Sequence, residues 1–136
     1  MEMLQREFNG PLVTNQIELS VLHEQSFFDG TINYLQKENI KPMAWSPLAG
    51  GKLFKGQDEK SLRARKVLEK VAKETGAASI DEVAYAWLLA HPAEVMPIVG
   101  SGQMKRIQSA INAANITLTR EQWFDILQES MGKEVD

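Results

Sequence analysis

The chain contains no cysteine. Disulfides, thiolate metal centres and a cysteine nucleophile are thereby excluded. No apolar run approaches the roughly 20 residues that cross a bilayer as a helix. The opening Met1-Glu2-Met3-Leu4-Gln5-Arg6 lacks the long apolar core of a secretion signal. There is no basic excess either: 15 Lys and Arg stand against 18 Asp and Glu, a net charge of −3. A general electrostatic role on nucleic acid or at a membrane surface is not expected from that balance. Internal repeats and low-complexity stretches are also missing. A cytoplasmic protein is the resulting expectation.

What is present is an ordinary globular composition, 43% hydrophobic and 24% charged over 136 residues. That length suits one domain, residues 1–136. Met1 to Phe8 reads as a short helix end, stopped by Asn9-Gly10-Pro11. Leu12 to Leu19 reads as a strand. Ser26 to Asn39 reads as a helix with Phe28, Ile32 and Leu35 on its inner face. Ile40 to Trp45 is a second strand, broken by Ser46-Pro47, and Gly50-Gly51 opens a flexible loop to about Lys60. Ser61 to Thr75 is a helix with Ala64, Val67, Leu68 and Val71 inward, closed by Gly76. Ser79 and Glu82 have the spacing of a capping box. The helix they open carries the stripe Ile80, Val83, Ala84, Trp87, Leu88 and ends at His91-Pro92. Val95 to Val99 is a third strand. Lys105 to Ala114 is a helix with Ile107, Ala110, Ile111 and Ala114 inward. Thr119 and Gln122 cap a last helix carrying Trp123, Ile126 and Leu127.

Short apolar strands alternating with helices imply right-handed crossovers and a parallel sheet. The strands at about 12–18, 41–45 and 95–99 should pair in that order, with helices on one side. Ligands of such sheets bind at the carboxyl ends of the strands. The residues of interest are therefore Asn15-Gln16, Trp45-Ser46-Pro47-Leu48 and Gly100 to Arg106.

Several pieces together resemble the aldo-keto reductase superfamily. They are Asn15-Gln16-Ile17-Glu18, then Ala44-Trp45-Ser46-Pro47-Leu48-Ala49-Gly50-Gly51, then Pro97-Ile98-Val99-Gly100-Ser101 ahead of an Arg-containing helix. Val83-Ala84-Tyr85-Ala86-Trp87-Leu88-Leu89 and Ile116-Thr117-Leu118-Thr119 belong to the same pattern. Any one piece alone is weak; the order and spacing are what carry the resemblance. It implies an α/β fold, part of a (β/α)8 barrel with about three parallel strands and flanking helices. It implies an NADP-dependent oxidoreductase acting on carbonyl and alcohol groups.

The resemblance also implies roles. Gln16 would hydrogen-bond the nicotinamide carboxamide, and Trp45 would stack on the ring, where the family more often has Tyr. Ser46 and Leu48 would meet the pyrophosphate, with Gly50 and Gly51 allowing close backbone approach. Ser101, Gly102 and Gln103 would form the anion-favouring turn before a helix, and Arg106 would grip the 2′-phosphate of NADP with paired hydrogen bonds. Each residue also has a plainer reading: Gln16 as a strand-end polar group, Trp45 as core, Ser46 and Leu48 as a turn set by Pro47, the Gly pair as ordinary loop, Arg106 as a solvated helix charge.

The family's catalytic Asp, Tyr, Lys and His come from its first four strands, and no position here matches them. Tyr34 and Tyr85 read as helix-face residues with core-like neighbours, while His23 lies in a loop and His91 at a helix end. The chain thus resembles the C-terminal, cofactor-side portion of such a barrel and is expected to be inactive alone. A three-stranded parallel sheet leaves one face uncovered, so self-association over that face is expected. A non-catalytic remnant or self-associating interaction module is the other reading.

Overall fold

A computed structural model describes residues 1–135. Strands β1 (Thr14–Glu18), β2 (Lys41–Trp45) and β3 (Met96–Pro97) form one sheet in the order β1-β2-β3. Both pairings are parallel, as the alternation predicts: Gln16 lies beside Met43, and Met43 beside Met96. Helix α1 (Glu2–Glu7) precedes β1, and α2 (Thr31–Lys37) connects β1 to β2. The longer crossover from β2 to β3 carries α3 (Lys52–Lys55), α4 (Glu59–Thr75) and α5 (Ile80–Leu89). Helices α6 (Met104–Asn112) and α7 (Arg120–Met131) follow β3. No described helix is long and apolar enough to cross a membrane.

Side chains alternate across a strand with a period of two. Ile17, Pro42 and Ala44 are accordingly buried on the helix side of the sheet, while Gln16, Lys41 and Trp45 are exposed. The apolar stripes predicted for α4 and for Val83 to Leu88 of α5 are buried, as are Ile126 and Leu127 of α7. Helix α5 is tied to α7 by its tryptophans. The two indoles stack with centroids 5.2 Å apart. Trp87 Nε1 donates to the Trp123 carbonyl at 3.1 Å, and Trp123 Nε1 to the Trp87 carbonyl at 2.9 Å. Buried indole N–H groups are thus satisfied while the rings fill the core.

Several elements differ from the sequence expectation. Residues 26–39 are not one helix: a 3-10 turn at Gln25–Phe27 is followed by a break, and α2 starts after Gly30, whose φ is 88°. Asp29 accepts the Thr31 N–H at 2.9 Å and sets that start. Phe28 falls in the break and is 53% exposed rather than inward. The segment from Gly50 to Lys60 is not a flexible loop. Leu53 of α3 is buried, and Arg65 donates to the Leu53 and Gly56 carbonyls at 3.1 and 2.6 Å. Gly56 permits this closure, since a Cβ there would meet the Lys52 carbonyl at 2.7 Å.

Helix α4 is capped by Asp58, which accepts from the Ser61 N–H, so it begins earlier than Ser61. The Ser79 capping box does not form. Ser79 makes no cap bond, and Glu82 instead accepts from the Ala78 N–H and the Asn112 side chain, both at 3.0 Å. The Thr119–Gln122 box does form. Strand β3 has two residues, Met96–Pro97, instead of 95–99. The Ile98 N–H donates the next bond of the pairing to the Ala44 carbonyl at 2.9 Å. Helix α6 buries none of its residues, and Ile111 and Ala114 are exposed. The chain leaves that helix in a 3-10 turn at Ala113–Asn115, which inserts Ala113 into the core instead.

His91 packs at the end of α5, stacked on Phe27 at 4.7 Å. Its Nδ1 accepts the Ala93 N–H at 3.1 Å. Burial lowers its pKa below the usual 6.5. The unfolded chain therefore holds that proton more tightly than the folded one. Stability is fully present above about pH 6.5 and declines as the pH falls below it. Thermal melts on either side of about pH 6.5 should show this loss, and His91→Gln should flatten it. An unchanged slope in the variant would remove His91 as the cause.

Candidate functional site

Strand β2 ends at Trp45, and the chain turns immediately. Ser46 has φ 51°, Ala49 has φ 53°, and Gly50 and Gly51 have φ 61° and 88°. A left-handed conformation costs a non-glycine residue on the order of 1 kcal/mol, and such strain concentrates at functional sites. Two backbone bonds hold the turn: Ala49 N–H to the Ser46 carbonyl at 2.8 Å, and Gly51 N–H to the Leu48 carbonyl at 3.1 Å. The folded loop lies beside the exit of β3. There Ser101 Oγ accepts the Gln103 N–H at 3.1 Å and leads into α6, whose first turn carries Arg106.

Between these segments lies a cleft of about 360 Å³. Ser46, Leu48, Gly50, Ser101 and Arg106 all line it, so five of the eight residues expected to bind a cofactor converge. Gly51 lines it too. Arg106 is exposed and forms no ion pair among the described residues. Its charge is available to an anion, and Ser46 and Ser101 line the same cleft. That combination suits a phosphate oxygen, which accepts charge-assisted hydrogen bonds.

The other three expected residues lie elsewhere. Gln16 and Trp45 sit on the uncovered face of the sheet. In the register Gln16 is opposite Met43 and Trp45 opposite Glu18, so the two are diagonal neighbours on one face. Trp45 is 42% exposed rather than core. Gln103 is exposed beyond the lip, and its carbonyl accepts the Arg106 and Ile107 N–H groups at 3.0 and 3.1 Å.

Phe54, Tyr85 and Ile98 complete the cleft and were not anticipated. Phe54 lies in a segment that reads as loop. Tyr85 falls one position off the apolar stripe of α5, and a polar-tipped aromatic beside a core stripe is the signal that was available. Burial raises the Tyr85 pKa above its usual 10, Asp81 adds to the rise, and the Arg106 charge opposes it. The phenol stays protonated and remains a donor at neutral pH.

Gly51 provides a test of the loop. Nothing lies within 4 Å of a Cβ placed there, so its φ of 88° is the only obstacle to a side chain. Gly51→Ala should cost about 1–2 kcal/mol by denaturant titration. A neutral substitution would mean that the loop relaxes freely.

The cleft can be set beside known proteins. The aldo/keto reductase family model matches residues 1–129. The chain is 52% identical over 133 residues to the uncharacterized oxidoreductase YcsN of Bacillus subtilis (strain 168), spanning 98% of this chain and 44% of that protein. It is 42% identical over 133 residues to a 6-dehydroglucose reductase of Agrobacterium fabrum, spanning 43% of that protein. Among solved structures, the thermostable aldo-keto reductase Tm1743, in complex with the inhibitor epalrestat, superposes with a TM-score of 0.81 at 26% identity. That alignment covers 94% of this chain and 43% of the other. The chain therefore spans under half the length of these relatives. Three parallel strands, a site at their carboxyl ends and a family match along nearly the whole chain lead to one conclusion: this chain belongs to the aldo/keto reductase family.

Proposed function

We propose that this chain forms the cofactor-side part of an NADP(H)-dependent oxidoreductase that interconverts carbonyl and alcohol groups. The observation that carries this reading is the convergence of Ser46, Leu48, Gly50, Ser101 and an unpaired Arg106 around one cleft. The family to which the chain belongs generally uses NADP(H), which supports the choice of cofactor. Arg106 and Ser101 hold the 2′-phosphate, and Ser46 with the Leu48 backbone approaches the pyrophosphate. Gln16 meets the carboxamide, and the exposed Trp45 ring stacks on the nicotinamide. When bound, the nicotinamide supplies or accepts the hydride at the substrate carbon.

Reduction also needs a proton at the carbonyl oxygen. Neither tyrosine of this chain is placed to give it. The Tyr34 hydroxyl donates to Gln5 Oε1 at 2.8 Å, and Tyr85 lines the phosphate cleft rather than the face bearing Trp45. The proton donor thus lies outside this set of residues, and the chain alone is read as inactive.

Titration of NADPH and NADH by fluorescence or calorimetry tests this. Loss of a charge-assisted hydrogen bond costs about 1.5–3 kcal/mol. Arg106→Ala should weaken NADPH by that amount and leave NADH nearly unchanged, while neither protein reduces an aldehyde above background. Equal losses for both nucleotides would remove Arg106 from the 2′-phosphate. Turnover abolished by a substitution within this chain would overturn the inactive reading.

A second reading, self-association, is favoured by the uncovered sheet face, where Trp45 and Met96 are 42% and 40% exposed. Sedimentation at increasing concentration should show a dimer that Trp45→Glu disperses. A monomer at every concentration would sink it.

A further inference from the structure

We propose that Tyr85 is a further ligand-contacting residue of this cleft, its hydroxyl donating a hydrogen bond to the phosphate that Arg106 holds. The inference rests on the nucleotide reading above. Tyr85 is 3% exposed. Its ring packs with Ala86 and Ala113, and with Leu48, Val99 and Ala110 around them. Nothing in that packing needs a hydroxyl, since a phenylalanine would fill the same space.

A buried phenol nearly always finds a partner, because leaving it unpaired costs its desolvation. This one hydrogen-bonds to no other described residue. No fully enclosed side-chain polar atom of the described residues lacks a partner, so the Tyr85 oxygen retains some contact with solvent. On this proposal that contact lies in the cleft that Tyr85 lines. Tyr85 and Arg106 line the same cleft, whereas the buried Asp81 carboxylate, which also acts on the phenol, does not line it. A single phosphate can therefore take a charged bond from Arg106 and a neutral one from Tyr85. The packed ring has little rotamer freedom left to lose on binding, which favours the contact.

The chain contains two tyrosines, so labelling with 3-fluorotyrosine gives two fluorine resonances. Tyr34, bonded to Gln5, serves as internal control. Titration with adenosine 2′,5′-bisphosphate should shift the Tyr85 resonance and leave that of Tyr34 in place. Tyr85→Phe should keep the melting temperature within a few degrees and weaken the bisphosphate about tenfold, the size of one such bond. Unchanged affinity in Tyr85→Phe, or a still Tyr85 resonance at saturation, overturns the proposal. If the bisphosphate does not bind at all, the nucleotide reading has failed, and inorganic pyrophosphate decides the Tyr85 site separately. A Tyr85 shift with pyrophosphate sustains a phosphate contact there; no shift removes it.

Discussion

Strand β2 carries the architecture, because it is the only strand of the described sheet with a neighbour on each side. Its pairings are parallel, so each connection must cross over the sheet, and helices are the compact way to do that. The same geometry brings the carboxyl ends of all three strands to one edge. Pro42 lies one residue before the β2–β3 ladder begins at Met43 and Met96, so its missing N–H is not called on there. Strand β3 ends at Pro97, after two residues. The chain is thereby released early enough to form the Gly100–Gln103 segment that faces the Ser46–Gly51 turn.

That turn stores strain. Ser46 and Ala49 adopt positive φ values that L residues disfavour, and the neighbouring core over-determines them. Leu53 is sunk in the core just beyond, Pro47 is buried just before, and Arg65 pins the carbonyls of Leu53 and Gly56. A loop of this composition free in solution would sample many states. Clamped at both ends, it presents Ser46, Leu48 and Gly50 to the cleft as a fixed wall, which lowers the ordering cost of binding.

The parts of this design legible in the sequence were those with a strong period. The stripes of α4 and α5, the two longer strands and the Thr119 cap follow from spacing alone. The parts that were not legible depend on contacts between distant residues. The Gly50-Gly51 pair suggests flexibility, and only Arg65, more than a dozen residues on, shows the segment to be fastened. Ser79 has capping chemistry, yet Glu82 is drawn to Asn112 of α6, thirty residues away. Ile111 has the right spacing to be buried, but α6 has no helix against its outer face. For the site, the strand ends marked the segments that hold Ser46, Leu48, Ser101 and Arg106, and the resemblance supplied their roles. Tyr85 reads in the sequence as a helix-face residue with core-like neighbours, because an aromatic in a buried helix reads as packing unless its hydroxyl can be seen to lack a partner.

The two groups of expected cofactor residues differ in a way that bears on how the chain works. The cleft is walled by a clamped loop, the β3 exit and α6. Gln16 and Trp45 instead lie exposed on one face of the sheet. A phosphate in the cleft can take charge-assisted bonds from the exposed Arg106 guanidinium. A nicotinamide on the open face gains one stacking surface and remains exposed to water on the other side. On the proposed reading, recognition of the phosphate end is local to these residues, whereas hydride chemistry needs the second wall that excludes water and supplies a proton. Binding and turnover are then separable properties, and the first can persist in this chain without the second.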